Sequence, residues 1–236
     1  MSLDMKYVWE SFTKQRPGSG VDRTWPFPAS LGEWGALMQV STRRVYLFTE
    51  IHAEDQDAEV VGIGWLIKAL YTLDAIDEKP ITMYINSPGG DISAGMALIS
   101  VMRDLRSRVD TFVVGQASSM AAVVAVAGAY RKAYPTARWL LHRGKSSAQG
   151  DATDIDIEAK EFKMLDSYAD QVVINASGGK VEPKQLGKLQ RKNHYMGAEE
   201  ALKMGLLDEI VMPQQWAGVK WIPEKGKSTF DGEDDE

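Results

Sequence analysis

Three short segments hold the residue types that acyl transfer needs. Gly115-Gln116-Ala117-Ser118-Ser119-Met120 places two adjacent serines on a strand-to-helix turn. A hydroxyl on such a turn points past the sheet edge, and the N–H that follows it can bind an oxyanion. Ile85-Asn86-Ser87-Pro88-Gly89-Gly90-Asp91 runs from a strand through glycines towards a helix, exposing backbone N–H groups at a positive helix end. Trp139-Leu140-Leu141-His142 ends an apolar strand on one of three histidines, the others being His52 and His194. Ligands in open α/β sheets bind beyond the carboxyl ends of strands.

Each segment has a plainer meaning by itself. Pro-Gly-Gly makes turns, serine caps helices, and a strand-end histidine is commonly structural. Rival motifs fail on detail: no Lys-Ser or Lys-Thr follows the glycines, and no G-x-G-x-x-G is present. Ser119 is followed by Met-Ala, so this is not the G-x-S-x-G elbow, and spacing leaves open which serine is the nucleophile. Taken together, parallel strands ending in Gly-Gly, Ser-Ser-Met and His would bring oxyanion donors, nucleophile and base to one edge.

The elements needed to position them are legible. Residues 45–48, 81–86, 111–115, 137–141 and 208–212 read as strands. Residues 57–73, 92–105, 119–129, 182–190 and 198–204 read as helices, the first with Val60, Val61, Ile63, Leu66, Ile67 and Leu70 inward. Alternation of strands with helices predicts an α/β class with parallel pairing. A helix of about 24 residues follows, with Thr153 as its predicted cap and Asp156 three residues on. Ile155, Ala159, Phe162, Leu165, Tyr168 or Ala169, and Val172 form its apolar stripe, and Gly178-Gly179 stops it. At about 36 Å it exceeds what a small domain needs, so it would project and pair with another subunit.

Composition narrows the function classes. The 236 residues include no cysteine, which removes disulfide frameworks, zinc ribbons and thiol catalysis. A formal net charge of −6 argues against a general nucleic-acid binder. Five acids stand in the last six residues, and the remainder is nearly neutral. Thr111–Tyr130 is twenty residues without a charge, but the polar Gly115–Ser119 interruption splits it into two buried elements rather than a membrane span. The opening MSLDMKYVWESF lacks a signal peptide's basic flank and apolar run, so a cytoplasmic protein is expected. Asp154, Asp156 and Glu158 read as a solvated helix face, so neither a metal site nor a cofactor is expected.

INSPGGDISAGMAL, GQASSMAAVVAVAGA, the strand-end His142, GDATDIDIEAKE and MGAEEALKMGLLDEIV resemble the Clp protease proteolytic subunit family, in the family's order and spacing, from about Arg44 to Val211. The resemblance implies a crotonase-like (ClpP) ββα spiral with a projecting handle helix. It divides the chain into an irregular amino-terminal extension (1–42), a peptidase domain (43–213) and an acidic tail (214–236). It implies a homo-oligomer of two stacked heptameric rings around a proteolytic chamber. Unfolded polypeptides would be fed to that chamber by a separate AAA+ ATPase unfoldase, since no Walker A sequence is present.

Carried over by residue, the nucleophile is Ser119, the base His142, and the oxyanion donors are the N–H groups of Gly90 and Met120. Substrate would lie extended along Gly89, Asp91, Ile92 and Arg143, as an added strand. The family's third triad member is an aspartate two residues before an aromatic. Here the aromatic is Tyr195, and the position holds Asn193. An asparagine carbonyl can orient an imidazole but supplies no charge to stabilise imidazolium. In serine proteases that exchange costs about 10⁴ in turnover. A weakened or specialised peptidase is therefore expected, with a silent structural or regulatory ring subunit as the alternative. Ala121 also stands where the family usually has glycine. A crotonase-type acyl-CoA enzyme is the remaining rival, disfavoured because that chemistry needs no serine nucleophile.

Overall fold

The computed structural model describes residues 38–39, 42–52 and 62–216. Most of the expected amino-terminal extension and nearly all of the tail lie outside these residues, as do Val60 and Val61. The described elements are β1 (Met38–Gln39), β2 (Arg44–Leu47), α1 (Ile63–Ile76), β3 (Ile81–Ser87), α2 (Ile92–Asp104), β4 (Val109–Ser118) and α3 (Met120–Val126). They continue with β5 (Arg131–Ala133), β6 (Arg138–Leu141), α4 (Ala152–Ala176), α5 (Pro183–Arg191), β7 (His194–Gly197), α6 (Ala198–Lys203), β8 (Glu209–Ile210) and a 3-10 turn at Gln214–Trp216.

Strands β2, β3, β4, β5 and β8 run parallel in that spatial order, with β1 antiparallel at the β2 edge. Strand β4 makes the sheet turn. Its Thr111–Val113 pairs with β5, whereas its Gln116–Ser118 pairs with β6. Antiparallel β7 then covers β6.

The sequence reading ended this strand at Gly115; the structure carries it through to Ser118. The β3–β4 register shifts between Ile85 and Ser87, so the Gly115–Gln116 region is a bulge within the strand rather than a break. Asn86 explains it. Its Oδ1 accepts from the Gln116 N–H at 3.1 Å, and a Cβ at Gly115 would stand 2.5 Å from that same oxygen. Glycine lets the strand close on the amide.

Every residue of α3 is buried. This accounts for the charge-free stretch, and no helix among the described residues is long and apolar enough to cross a membrane. Helix α3 packs between β4, α2 and α4. Fully buried Val45, Leu70, Ile81, Met83, Ile85 and Leu98 form the rest of that core.

Helix α4 confirms the long projecting element and corrects its start. Its cap is Asp151, not Thr153: Asp151 Oδ1 accepts from the N–H groups of Thr153 and Asp154, and Asp154 returns a bond to the Asp151 N–H. A carboxylate at the N-cap suits the positive helix end better than a hydroxyl two residues inside it. Of its 25 residues only Ala169, Val172 and Val173 are buried. Ile155, Ile157, Met164 and Tyr168 are exposed among the described residues.

Candidate active site

Three parallel strand ends meet as the sequence required. Ser87 of β3 is level with Ala117 of β4, which is level with Trp139 of β6. The chain then leaves through Pro88-Gly89-Gly90, through Ser119 and through His142. Ser119, Met120, Leu141 and His142 line one cleft together with Ile92, Gly144 and residues of α4 and α5. Ser118 does not line it, which separates the two serines.

Ser119 sits at φ 54°, ψ −126°, a conformation L-residues rarely adopt. Its side chain makes no capping bond to α3, so helix capping does not explain it. Its N–H donates to the Leu140 carbonyl at 2.9 Å, tying the elbow to β6. Gly89 permits the approach of the neighbouring loop: at φ 99°, its Cβ would fall 2.5 Å from the Ser118 carbonyl oxygen and 3.0 Å from the Met120 nitrogen. Gly90, at φ 140°, lies just as close to Ile51.

That loop is held at both sides of Gly90. The Ile51 N–H donates to the Gly89 carbonyl at 2.7 Å, and the Asp91 N–H donates to the Ile51 carbonyl at 2.8 Å. Part of the expected substrate edge is thus already paired, leaving the N–H of Gly90 facing away from Ile51. Among the described residues, neither that N–H nor the N–H of Met120 has a hydrogen-bond acceptor. Asp91 caps α2 by accepting from the Ala94 N–H at 2.7 Å.

His142 Nδ1 lies 2.7 Å from the Arg143 carbonyl oxygen. A carbonyl only accepts, so Nδ1 carries the proton and Nε2 is left as the basic nitrogen. Arg143 turns its side chain away from the loop and onto α4, where its Nη1 donates to Asp166 at 2.7 Å and to Asp170 at 3.0 Å. The bond to Asp166, joined by the charge of Asp170, pushes the guanidinium further into its charged form.

Asn193 stands between α5 and β7. The last rung of the antiparallel β6–β7 ladder pairs Leu141 with His194, and one residue beyond it stand His142 on one strand and Asn193 on the other. Asn193 has φ 47° and donates its backbone N–H to the Gln190 carbonyl at 3.2 Å. Asparagine tolerates this left-handed conformation better than most residues. No side-chain bond links Asn193 to His142 among the described residues.

Sequence reasoning missed three cleft residues: Asp166, Asp170 and Gln190. A signal existed for the acids. Phe162, Asp166, Ala169 and Val173 share one face of α4, so a carboxylate stands where the apolar stripe faces the domain. It also missed β7, whose four residues are too few for a periodic signal.

A parallel sheet that turns on one long strand, with a buried helix packed against that strand and a projecting helix after it, defines a crotonase-like α/β fold. The family model for Clp protease matches residues 36–214, and the chain belongs to that family.

Proposed function

We propose that this protein is a serine endopeptidase subunit. The observation that carries the reading is the pairing, in one cleft, of a strained serine whose side chain makes no capping bond and a histidine whose Nδ1 proton is held by a carbonyl. Ser119 Oγ attacks the scissile carbonyl as His142 Nε2 takes its proton. The N–H groups of Gly90 and Met120 receive the oxyanion. Collapse passes the proton to the departing amine and leaves an acyl-serine, which water hydrolyses by the same route. Asn193, just before the strand facing His142, is the candidate third member; its amide would orient the imidazole, without charging it, by taking the Nδ1 proton in place of the Arg143 carbonyl.

The exposed apolar residues Ile155, Ile157, Met164 and Tyr168 of α4 support assembly into stacked heptameric rings; a separate AAA+ unfoldase delivering unfolded chains, and the cytoplasm as the compartment, belong to the same proposal. A second reading, a silent ring subunit, is favoured by Asn193 alone. Native mass measured alongside hydrolysis of short peptides tests both: fourteen subunits with turnover supports the peptidase, fourteen without turnover supports the silent subunit, and a monomer contradicts the chamber.

A further inference from the structure

The carbonyl that holds His142 belongs to a peptide group that α4 fixes from the other side. His142 Nδ1 donates to the Arg143 carbonyl at 2.7 Å, and the Gly144 N–H of the same trans peptide donates to Asp166 Oδ1 at 3.4 Å. A planar trans unit aims its C=O and N–H in opposite directions. One rigid plane therefore stands between the imidazole and the helix. Two further contacts press that plane onto α4. Arg143 Nη1 donates to Asp166 Oδ2 at 2.7 Å and to Asp170 Oδ2 at 3.0 Å. At Gly144 a Cβ would fall 2.6 Å from Phe162 Cζ and 3.1 Å from Ile92 Cδ1, so a side chain would push the peptide outwards. Asp166 thus holds both residues of the peptide, Gly144 through Oδ1 and Arg143 through Oδ2.

The consequence is one of position rather than of net charge. Asp166 and Asp170 on α4 face Arg143, and the Arg191 guanidinium of α5 stands beside it, both guanidinium groups lying 3.7 Å from where a Cβ on Gly187 would be. Two cations therefore balance two anions around this peptide. Its direction remains decisive, because a general base works only while its nitrogen is aimed at the proton it takes. We propose that Asp166 is a positioning residue for the catalytic base: it fixes the Arg143–Gly144 peptide, whose carbonyl fixes the tautomer and plane of His142. The inference rests on the peptidase reading. It places the orienting carboxylate on the projecting helix and at one remove from the imidazole, at a different point in the chain from Asn193.

The test is the second-order rate of Ser119 modification by a fluorophosphonate, read as intact mass on the full chain and followed with rising pH until the rate levels off. Wild type is compared with Asp166→Ala, Asp166→Asn and Asp170→Ala. Each variant removes one negative charge near Arg143, so a charge effect appears alike in all three, whereas the grip on Gly144 is lost from Asp166→Ala alone. The plateau of Asp166→Ala is expected to fall at least about tenfold, as misplacement of a catalytic group by about an ångström does. Asp166→Asn keeps an acceptor for the Gly144 N–H while Asp170 retains Arg143, and should restore most of that loss. Asp170→Ala should lose severalfold less than Asp166→Ala. Gly144→Ala, which displaces the same peptide with Asp166 intact, should also lower the plateau, and it decides the matter if Asp166→Ala does not fold. Equal losses in Asp166→Ala, Asp166→Asn and Asp170→Ala overturn the grip in favour of charge. A wild-type plateau in folded Asp166→Ala or Gly144→Ala overturns the proposal and leaves the peptidase reading standing. No modification of folded wild-type protein at any pH overturns the peptidase reading and the positioning role with it.

Discussion

Gly89 packs against Ser119 with no room for a side chain: a Cβ built on Gly89 would lie 2.7 Å from the Cβ of Ser119, closer than two carbons can stand without a shift. The Pro88–Gly90 loop and the Ser118–Met120 elbow are therefore one packed unit, and the position of each depends on the other. Gly89→Ala combines this clash with a φ of 99° that alanine resists, for a loss of about 1–3 kcal/mol. Peptidase turnover should fall by at least about tenfold in a protein that still melts cooperatively, because a displacement of an ångström at the nucleophile is enough. Unchanged turnover would mean that the loop does not set the site.

Asn193 and His142 stand on facing strands one residue past the last rung of the β6–β7 ladder. Aspartate tolerates the left-handed conformation at position 193 as well as asparagine does. Asn193→Asp should therefore leave stability nearly unchanged and raise turnover by about tenfold or more, through the charge it offers to the imidazolium. If turnover in a short-peptide assay stays the same, the Arg143 carbonyl alone orients His142.

Assembly is expected to depend on the exposed stripe of α4. Ile157 is 59% exposed in the subunit, so replacing it by Asp should leave the fold intact while shifting native mass from fourteen subunits towards smaller species. A fourteen-subunit particle formed equally well by Ile157→Asp would exclude this helix from the interface.

Acid sensitivity should follow Asp208. The side chain of Arg131 binds its carboxyl at 2.6 and 2.9 Å and, against partial burial, holds it below the ordinary carboxylate range. The unfolded chain, with a carboxyl near pKa of about 3.9, binds the proton more readily than the folded one. This contribution is complete above that value and is lost as pH falls through the lowered folded value. Melting temperature measured from pH 6 to pH 3 should drop less steeply at the acid end for Asp208→Asn than for the wild-type chain. Parallel curves would contradict the linkage.

The elements that position the site were legible where burial imposes a period. Strand β3 and helix α2 fall within a residue of their predicted bounds because alternating and three-to-four-residue patterns mark them directly. The predicted start of the first helix at 57 was not reproduced: α1 begins at Ile63 after an extended Gly62, and residues 57–61 lie outside the described residues. Strand β4 ran past its predicted end because a bulge sealed by the Asn86 amide leaves no local sequence mark. The identity of Ser119 within the serine pair needed either the family resemblance or the φ of 54°, since spacing alone treats the two hydroxyls alike. Three other cleft residues stayed hidden for a different reason: Asp166, Asp170 and Gln190 are far from Ser119 in the chain and line the same cleft only through the docking of α4 and α5.

The central claim is that Ser119 is a nucleophile activated by His142. Intact-mass labelling with a fluorophosphonate at neutral pH tests it most directly. The account predicts one adduct per chain, mapped to Ser119, absent from Ser119→Ala and strongly slowed in His142→Ala. Labelling that persists in Ser119→Ala, or that never occurs at any pH in folded wild-type protein, would contradict it.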